Sequence, residues 1–293
     1  MAIKNQKAFS LIEISMVIFI IGILIAGISS GIDLYNDARI SKAQVLTKSS
    51  KIPRIPDLVL WLDSVSAEAF TKPPSQNEKI AKWKDINPFS NNKLEAYQTS
   101  EDFKPTYNFN SISGLPALKF NSTCMRIDLD ISYTSKPKIT AFAVFKINGN
   151  NSSKGGWGNP LFGNDSGIWG RFLLLIQGGN LSYMSISNGN GTLLKKVDSI
   201  LNFPYYSTYV SQQSVTNGSQ IRYNGVFISS HTENFTYPQN NWTALGSDGN
   251  GVNGGCDLLS NFDIGEFIIY DRNLSASEIN DVENYLKKKW EIK

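Results

Sequence analysis

The hydrophobic pattern of the 293-residue chain begins with a long apolar stretch. From Phe9 to Ile32 every residue is apolar or small, apart from Glu13 and a few serines. A helix of this length would span about 36 Å, enough to cross the hydrocarbon core of a membrane, which is about 30 Å thick. The pattern therefore predicts a transmembrane helix over residues 9–32.

The helical pattern is predicted to continue past this apolar stretch. After residue 32, charged side chains alternate with apolar ones at a spacing typical of a helix in water. Pro53 and Pro56 then interrupt the pattern, because proline cannot continue a helix and disfavours helical backbone in the residue before it. We predict one helix over residues 9–48, followed by a linker over residues 49–57.

Short strand-like segments fill the remainder of the chain, residues 58–293. They are rich in β-branched and aromatic residues and are separated by turn pairs such as Asn217-Gly218 and Asn224-Gly225. The clearest segments are 58–62, 117–120, 139–146, 172–176, 181–186, 226–229 and 262–270. Strands at this regular spacing predict one sandwich or barrel domain.

The chain is predicted to end in a second helix. Ser275 and Glu278 have the spacing of a capping box, in which each side chain accepts a hydrogen bond from the backbone of the other residue. Four large apolar residues then fall on one helical face, namely Ile279, Val282, Leu286 and Trp290. The predicted fold class is therefore mainly β, with a long N-terminal transmembrane helix and a C-terminal helix packed on the sandwich.

Composition and charge exclude several kinds of protein. The chain is 41% hydrophobic and 18% charged, which is typical of a folded protein rather than a disordered one. A formal net charge of +3 is too small to indicate a nucleic-acid partner, and none is expected. The densest basic run, Lys287 to Lys289, is predicted to be a solvated helix end. One histidine and two cysteines exclude a Cys/His zinc cluster.

The two cysteines, Cys124 and Cys256, leave two alternatives open. In a domain outside the cytoplasm they would form a disulfide, because oxidising compartments favour such bonds. Otherwise they would be two buried free thiols. We favour the disulfide, although the spacing along the chain cannot decide, since a bridge depends on the distance between the two Cα atoms.

Glu13 distinguishes the apolar stretch from ordinary N-terminal segments. A secretory signal peptide has a shorter apolar region of about 7–15 residues and no need for an acid. A plain membrane anchor fits the length, and Lys4 and Lys7 fit its cytoplasmic side. An isolated carboxylate deep in lipid, however, costs about 2.5–3.5 kcal/mol. Glu13 is therefore predicted to have a positively charged partner.

The sequence around Glu13 resembles the class III leader of type IV prepilins and pseudopilins. The resemblance lies in the run Lys7-Ala8-Phe9-Ser10-Leu11-Ile12-Glu13. It implies that a prepilin peptidase cleaves between Ala8 and Phe9, removes residues 1–8 as a leader, and then methylates the amino group of Phe9. It also implies that Glu13 neutralises the terminal amine of a neighbouring subunit during filament assembly. The family usually has glycine where this chain has Ala8, so we expect cleavage with lower efficiency.

This resemblance also implies a location and a set of partners. The chain would be a single-pass protein of the bacterial inner membrane, with its C-terminal domain extracytoplasmic, in the periplasm, on the cell surface or in a pilus. Its partners would be the prepilin peptidase, other pilin or pseudopilin subunits and the membrane itself.

Residues 58–293 are similar to bacterial concanavalin A-like domains of the LamG type. The similarity is carried by five blocks, which are Leu60-Trp61-Leu62-Asp63, Trp83-Lys84-Asp85, Lys104-Pro105-Thr106-Tyr107, Gly114 to Phe120 and Asp263 to Ser275. It implies a jelly-roll sandwich of two antiparallel sheets that binds sugars or proteins, often with calcium. Fold alone does not fix the function.

Two groups of residues are candidates for ligand binding. Calcium needs several oxygen ligands from loops, and the loop 246–257 offers Asp248, Asn250, Asn253 and Asp257. The alternative is that this glycine-rich loop is only a turn. Three tryptophans lie in polar, loop-like contexts, namely Trp157, Trp169 and Trp242. Tryptophans in such contexts can stack on sugar rings or anchor a protein partner. Their alternative is packing at the rim of the sandwich. No motif requires a cofactor, and calcium is the one candidate.

Catalysis is not expected. Glycosidases of this superfamily need two carboxylates that face each other across a sugar, and the Glu-x-Asp-x-x-Glu pattern of the laminarinase-like branch is missing. Asp128 and Asp130 lie on one face of a predicted strand but lack a third acid. The sequence favours a minor pilin or pseudopilin that displays a lectin-like domain for glycan binding, protein binding or filament assembly. The alternatives are a surface-anchored carbohydrate-active enzyme of the glucanase-like class and an anchored adhesin that does not assemble.

Overall fold

The computed structural model describes most of the chain. It covers residues 10–149, 157–158, 160–166, 172–173, 176–177, 183–187, 192–196, 204–212, 214–233, 240–250, 256–257 and 259–292. The chain divides into two compact units, Met1–Lys42 and Ala43–Lys293.

From Leu11 onward, the first unit is part of one long helix, α1 (Leu11–Ser49). Within it, the window Leu11–Ile28 has a mean hydropathy of 2.7, and none of its residues is buried against the protein. Large apolar side chains are exposed along this window; Phe19, for example, is 68% exposed. Apolar surface of this extent is stable in lipid or against other helices rather than in water. By length and composition this helix can cross a membrane.

The second unit is built mainly from β-strands. In the described residues these are β1 (Leu58–Asp63), β2 (Lys82–Lys84), β3 (Glu95–Tyr97), β4 (Thr106–Ile112), β5 (Leu115–Thr123), β6 (Met125–Ile127), β7 (Lys138–Ile147), β8 (Trp157–Gly158), β9 (Phe162–Gly163), β10 (Phe172–Leu173), β11 (Ile176–Gln177), β12 (Tyr183–Ser187), β13 (Thr192–Lys196), β14 (Pro204–Gln212), β15 (Ser214–Tyr223), β16 (Val226–Glu233), β17 (Thr243–Leu245) and β18 (Ser260–Tyr270). Short 3₁₀ turns lie at Ile52–Arg54 and Ala67–Ala69, and helix α2 (Ala276–Trp290) follows β18.

The strands form two large sheets. The first sheet has the order β16-β15-β14-β7-β18-β5-β4, with β1 also paired to β18. The second sheet has the order β13-β12-β10-β9-β17-β6-β3-β2, and β11 pairs with β8 in a separate ladder. Every pairing between strands in the described residues is antiparallel.

Strand β18 lies at the centre of the first sheet. It pairs with β7 along nearly its whole length, and on its other side with β5 and then β1. Its pairing with β7 shifts register between Ile264 and Glu266. A Cβ atom at the intervening Gly265 would lie 2.4 Å from the ring of Trp290. Only glycine therefore lets α2 pack this closely on the sheet.

Aromatic side chains fill the space between the two sheets. Phe162 of β9 lies 5.1 Å, centroid to centroid, from Phe267 of β18, and Phe145 lies 5.8 Å from Phe262. All four are fully buried, and each contributes about 1.5–3 kcal/mol by leaving water. Strand β7 is buried at nearly every position, which is typical of a strand covered on both faces.

Helix α2 begins at the predicted capping box. Ser275 Oγ accepts a hydrogen bond from the Glu278 backbone at 3.3 Å, and Glu278 Oε2 accepts one from the Ser275 backbone at 2.8 Å. The predicted apolar face is buried, including Ile279, Val282, Leu286 and Trp290. The helix lies on the first sheet, where Thr208 of β14 donates to Glu283 at 2.6 Å. The predicted fold class, with an apolar N-terminal helix, a sandwich of antiparallel sheets and a C-terminal helix, is confirmed.

One predicted turn is wrong. Asn217-Gly218 lies inside β15, where the pairing with β16 is irregular between Ser214 and Ser219. A bulge can absorb such a turn-forming pair without ending the strand. Strands β14 and β15 are also absent from the predicted set, because serine, threonine and glutamine interrupt their apolar pattern.

The segment between α1 and β1, which is predicted as a linker, packs against the sandwich. Ile52 is 1% exposed and Ile55 is 7% exposed. Tyr270 of β18 donates a hydrogen bond to the carbonyl oxygen of Ile52 at 3.0 Å. The connection into β1 is therefore fixed by burial and by a hydrogen bond.

Candidate functional site

Glu13 lies in the first turn of α1. Its Oε2 accepts a hydrogen bond from the Ser10 backbone at 2.8 Å, and Ser10 Oγ accepts one from the Ile12 backbone at 3.4 Å. These bonds satisfy donors that the first turn of a helix leaves open. The carboxylate is therefore held at the positive end of the helix dipole. Ala8 and Phe9, the predicted cleavage site, lie outside the described residues.

Three charged side chains meet in the interior of the second unit. Lys289 Nζ of α2 lies 2.7 Å from Asp63 Oδ2 of β1 and 2.8 Å from Glu266 Oε2 of β18. None of the three side chains is exposed to solvent. We refer to Asp63, Glu266 and Lys289 as the buried ionic cluster. The prediction of a solvated helix end is wrong for Lys289, whereas Lys287 and Lys288 are exposed.

Neutral donors complete the buried ionic cluster. The indole N–H groups of Trp61 and Trp290 donate to the two oxygens of Glu266, at 2.7 and 2.8 Å. The hydroxyl of Tyr285 donates to the same carboxylate at 2.9 Å. Thr47, near the end of α1, donates to the aspartate of the cluster at 2.9 Å. The cluster thus joins the end of α1 to β1, β18 and α2, and its charges are paired in the way that burial requires.

Burial also sets the protonation equilibria of the cluster. It raises the pKa of Glu266, while the nearby Lys289 opposes the shift and Asp63 adds to it. Burial likewise raises the pKa of the Tyr285 hydroxyl well above its usual range, and the two carboxylates add to that shift. Because solvent does not reach Asp63, Glu266 or Lys289, the cluster holds the fold together rather than meeting a substrate.

A cavity of about 240 Å³ lies beside the buried ionic cluster. Its lining combines the end of α1 with loops of the sandwich and consists of Gln44, Thr47, Lys48, Pro53, Trp61, Ser66, Ala67, Glu68, Ile86 and Pro88. Pockets for small ligands usually measure about 300–1,000 Å³. This cavity is therefore better suited to one inserted side chain than to an extended ligand.

Of the four residues predicted to bind calcium, the structure describes Asp248, Asn250 and Asp257. Asp248 is 2% exposed, and its Oδ1 accepts a hydrogen bond from the Asn250 backbone at 3.0 Å. Burial raises the pKa of Asp248 to about 7, although this hydrogen bond opposes the shift. The nearby carboxylates of Asp165 and Asp257 raise it further. Asn253 lies outside the described residues.

The described start of this loop, residues 246–250, contains two glycines with positive φ. Gly246 has φ +74°, and a Cβ there would lie 2.5 Å from the ring of Phe120. Gly249 has φ +93°, and a Cβ there would lie 2.7 Å from the carbonyl oxygen of Gly163. Asn240 Nδ2 donates to the Gly249 carbonyl at 2.9 Å. Within the described residues no group of three or more acidic, histidine or cysteine side chains is placed to hold a metal ion, so calcium stays a prediction.

A disulfide fixes the far end of the same loop. Cys124 and Cys256 are joined, with their Cα atoms 5.6 Å apart. Gln98 Nε2 donates to the carbonyl oxygen of Cys124 at 3.1 Å. Of the two alternatives that the sequence leaves open, the structure contains the disulfide.

The outer face of the second sheet carries four side chains in contact. The guanidinium of Arg126 on β6 lies 4.7 Å from the ring centroid of Trp242, and its Nε donates to Asp128 Oδ1 at 2.7 Å. Tyr97 of β3 donates its hydroxyl to Asp128 Oδ2 at 3.1 Å. Both neighbours of Arg126 in β6 are fully buried, so Arg126 itself points away from the core. We refer to Tyr97, Arg126, Asp128 and Trp242 as the surface cluster.

Of the three tryptophans predicted to bind a ligand, Trp242 belongs to the surface cluster. It is half-buried and precedes β17. Trp157 begins β8, and its side chain is outside the described part of the structure, as is all of Trp169. The sequence identified Trp242 from its polar context, but Tyr97 and Arg126 carry no local signal of their own.

The N-terminal part of the chain matches a family model. Residues 3–29 match the prokaryotic N-terminal methylation motif. The match includes Glu13 and the apolar window of α1. An apolar N-terminal helix with this motif is consistent with a single-pass membrane anchor. No curated protein matches the chain in sequence.

Several solved structures resemble the fold. The binding domain of botulinum neurotoxin serotype D is 13% identical, with a TM-score of 0.50 over 78% of this chain and 51% of that chain. The receptor binding domain of botulinum neurotoxin mosaic serotype C/D is 15% identical, with a TM-score of 0.51 over 80% of this chain and 51% of that chain. Trypanosoma rangeli sialidase in complex with sialic acid is 15% identical, with a TM-score of 0.51 over 79% of this chain and 33% of that chain. This chain thus spans between a third and about half of those proteins, and the likeness shows the fold alone.

Proposed function

We propose that this protein is a type IV pilin-like subunit, a minor pilin or pseudopilin, that displays a recognition domain outside the inner membrane. One observation carries the proposal. The methylation motif of residues 3–29 overlaps an exposed apolar helix, in which Glu13 is the only charged residue between Leu11 and Ile28. Apart from the hydrogen bond from the Ser10 backbone, a plain anchor gives that charged carboxylate no partner in lipid.

Processing at the N-terminus gives Glu13 its partner. A prepilin peptidase hydrolyses the peptide bond between Ala8 and Phe9. It then transfers a methyl group from a sulfonium donor to the new amine of Phe9, and the donor leaves as a thioether. Glu13 lies four residues further on, about one helical turn. An unpaired carboxylate in lipid costs about 2.5–3.5 kcal/mol, so pairing with the cationic amine of a neighbouring subunit favours assembly of the helices.

The sandwich acts as a recognition module in this proposal. On the extracytoplasmic side of the membrane its disulfide, Cys124 to Cys256, is stable. Proteins of similar fold include a neurotoxin receptor binding domain and a sialidase in complex with sialic acid. Both support recognition of a glycan or of a surface protein, with calcium as an optional ligand of the loop around Asp248.

We propose binding without catalysis. The enclosed carboxylates of Asp63 and Glu266 both contact Lys289 and are unexposed, so a sugar does not reach them. A glycosidase needs an acid pair that flanks the scissile bond in an open groove. The exposed Asp128 is instead held by hydrogen bonds from Arg126 and Tyr97.

The N-terminus provides the direct test. The full chain is co-expressed with a prepilin peptidase in a bacterial membrane, and its N-terminus is read by mass spectrometry. We expect a mature chain that begins at N-methylated Phe9. The Ala8→Gly variant restores the residue usual in the family and is expected to be processed to a larger fraction. An intact N-terminus in both chains, with the protein in the membrane, would contradict the proposal.

The role of Glu13 is tested separately. Glu13→Gln keeps the shape of the side chain and removes its charge. We expect this variant to be processed normally but to lose cross-links between neighbouring subunits in the membrane. Cross-linking at the natural level would show that the carboxylate has no part in assembly.

A further inference from the structure

The side chains of the surface cluster contact one another although they are open to water. The side chain of Arg126 is 35% exposed and that of Asp128 is 59% exposed. An ion pair this exposed adds only about 0–1 kcal/mol to stability. Three strands of the second sheet, β3, β6 and β17, nevertheless bring the residues of the surface cluster together. Tyr97 lies opposite Arg126 in the β3–β6 pairing, and Trp242 directly precedes β17. The sheet thus presents one fixed set of side chains to solvent.

Arg126 retains donors for a ligand. Its Nε is used on Asp128, but its two terminal nitrogens donate no hydrogen bond within the described part of the chain. A guanidinium edge of this kind binds a carboxylate through two parallel hydrogen bonds. The guanidinium lies over the ring of the half-buried Trp242, so the part of the indole that it does not cover is the apolar surface left for the C–H groups of a sugar ring.

Asp128 adds a second requirement. Its exposed carboxylate accepts hydrogen bonds from hydroxyl groups and repels anions. A ligand composed of anionic groups alone would meet this repulsion. A neutral sugar would leave the terminal nitrogens of Arg126 without a carboxylate. The ligand that satisfies both side chains carries a carboxylate and several hydroxyls on one ring.

We propose that the surface cluster binds an acidic saccharide. The sugar carboxylate lies on the terminal nitrogens of Arg126, its ring lies against Trp242, and its hydroxyls donate to Asp128. This inference rests on the proposed function of the sandwich as a recognition module and names the ligand class. The neighbouring Lys82, opposite Tyr97, pairs with Glu95 at 2.6 Å, just as Arg126 pairs with Asp128 at 2.7 Å. Arg126 provides the selectivity for the carboxylate because its planar guanidinium keeps an edge of two nitrogens beside that pair, and a lysine ammonium has no such edge.

Calorimetric titration of the full chain in detergent micelles tests the proposal. The ligands are tetragalacturonate and a hyaluronan tetrasaccharide, each against its methyl ester, and sialyllactose against lactose. We expect at least one acidic saccharide to bind roughly tenfold or more tightly than its neutral counterpart, because the carboxylate gains a charge-assisted pair. Arg126→Gln is expected to remove this preference. Trp242→Leu is expected to weaken binding of the acidic form by about tenfold.

Lys82→Gln is the matched control, since it removes a cation from the same face and leaves the four residues of the surface cluster unchanged. The Lys82→Gln variant is expected to bind like the natural chain. The melting temperature of every variant is measured, and binding is compared only among variants that melt at the same temperature as the natural chain. The proposal is overturned if no acidic saccharide binds with a Kd below about 1 mM, or if Arg126→Gln keeps the preference. N-terminal processing is read on the same preparation. A processed chain that does not bind contradicts only the saccharide site, and a binding chain that is never processed contradicts only the pilin assignment.

Discussion

The buried ionic cluster and the surface cluster are made of similar groups and differ in their access to water. Each joins a cation to carboxylate oxygens beside a tryptophan and a tyrosine. In the buried cluster the charged side chains are 0% exposed. In the surface cluster the side chain of Asp128 is 59% exposed.

The two clusters also differ in how many hydrogen-bond donors of the cation remain unused. Lys289 has three donors and lies within hydrogen-bond distance of Asp63, Glu266 and Tyr285. Arg126 has five donors and uses one of them on Asp128. The same chemistry therefore stabilises the fold where it is enclosed and satisfied, and remains available to a ligand where it is exposed and partly unsatisfied.

The largest expected effect comes from removing the buried cation. Lys289→Met keeps an unbranched side chain but leaves two carboxylates enclosed without a counter-charge. Breaking a buried pair in this way costs about 3–5 kcal/mol. We expect the free energy of unfolding to fall by that amount, measured by urea unfolding with tryptophan fluorescence.

Lys288→Met is the matched control, because Lys288 is the exposed neighbour on the same helix. Its effect is expected to stay within about 0.5 kcal/mol. A loss below about 1 kcal/mol in Lys289→Met would mean that the two carboxylates do not depend on the lysine, and the comparison between the clusters would fail.

Asp248 differs from the carboxylates of both clusters, because it is buried and no ion pair to it is found among the described residues. Its pKa is raised to about 7 by burial. Because the folded pKa exceeds the unfolded one, the folded state holds the proton more tightly. The stability that this proton provides is complete below about pH 4 and is lost as the pH rises through about 7.

Asp248→Asn is expected to remove this pH dependence. Its amide oxygen can still accept the hydrogen bond from the Asn250 backbone. At pH 8, in the presence of a chelator, we expect the variant to be on the order of 2–4 kcal/mol more stable than the natural chain. Urea unfolding at pH 5 and pH 8 measures the difference. If the free energy of unfolding changes equally between these two pH values in both chains, this prediction is wrong. Stabilisation of the natural chain by added calcium would support the calcium prediction.

The sequence predicts the frame of this fold more fully than its details. The apolar window after Phe9, the run that became β18 and the capping box at Ser275 are local patterns, and each has a local physical cause. The pair Asn217-Gly218 was misleading because it lies where the pairing of β15 with β16 is irregular, and irregular strand positions such as bulges favour the same residues as turns.

The two clusters lie beyond local patterns. Asp63 and Glu266 belong to blocks that resemble LamG-type domains, but their partner Lys289 sits in a basic run that is otherwise solvated. Burial of one lysine among three depends on the angle at which α2 meets the sheet, and Gly265 sets that approach. Arg126 and Trp242 meet only after β6 and β17 pair. Such long-range contacts carry no spacing that a single sequence reveals.

A smaller effect is expected at the start of α2, the helix that carries Lys289. Ser275→Ala removes the side chain that accepts the Glu278 backbone hydrogen bond. Loss of such a cap costs about 1 kcal/mol, which urea unfolding can resolve. Ser277→Ala, at an exposed position in the same turn, is the control and is expected to be nearly neutral. Equal losses in both variants would assign the effect to the helix in general rather than to the cap.

The smallest expected change in stability is at the surface cluster. Arg126→Gln removes an exposed ion pair, and we expect the free energy of unfolding to change by about 0.5 kcal/mol or less. The same variant is expected to lose its preference for acidic saccharides. Urea unfolding and calorimetric titration on one preparation measure both quantities. A loss of more than about 2 kcal/mol in stability would make Arg126 a structural residue like Lys289, because its role would then be to satisfy Asp128 rather than to keep donors free for a ligand.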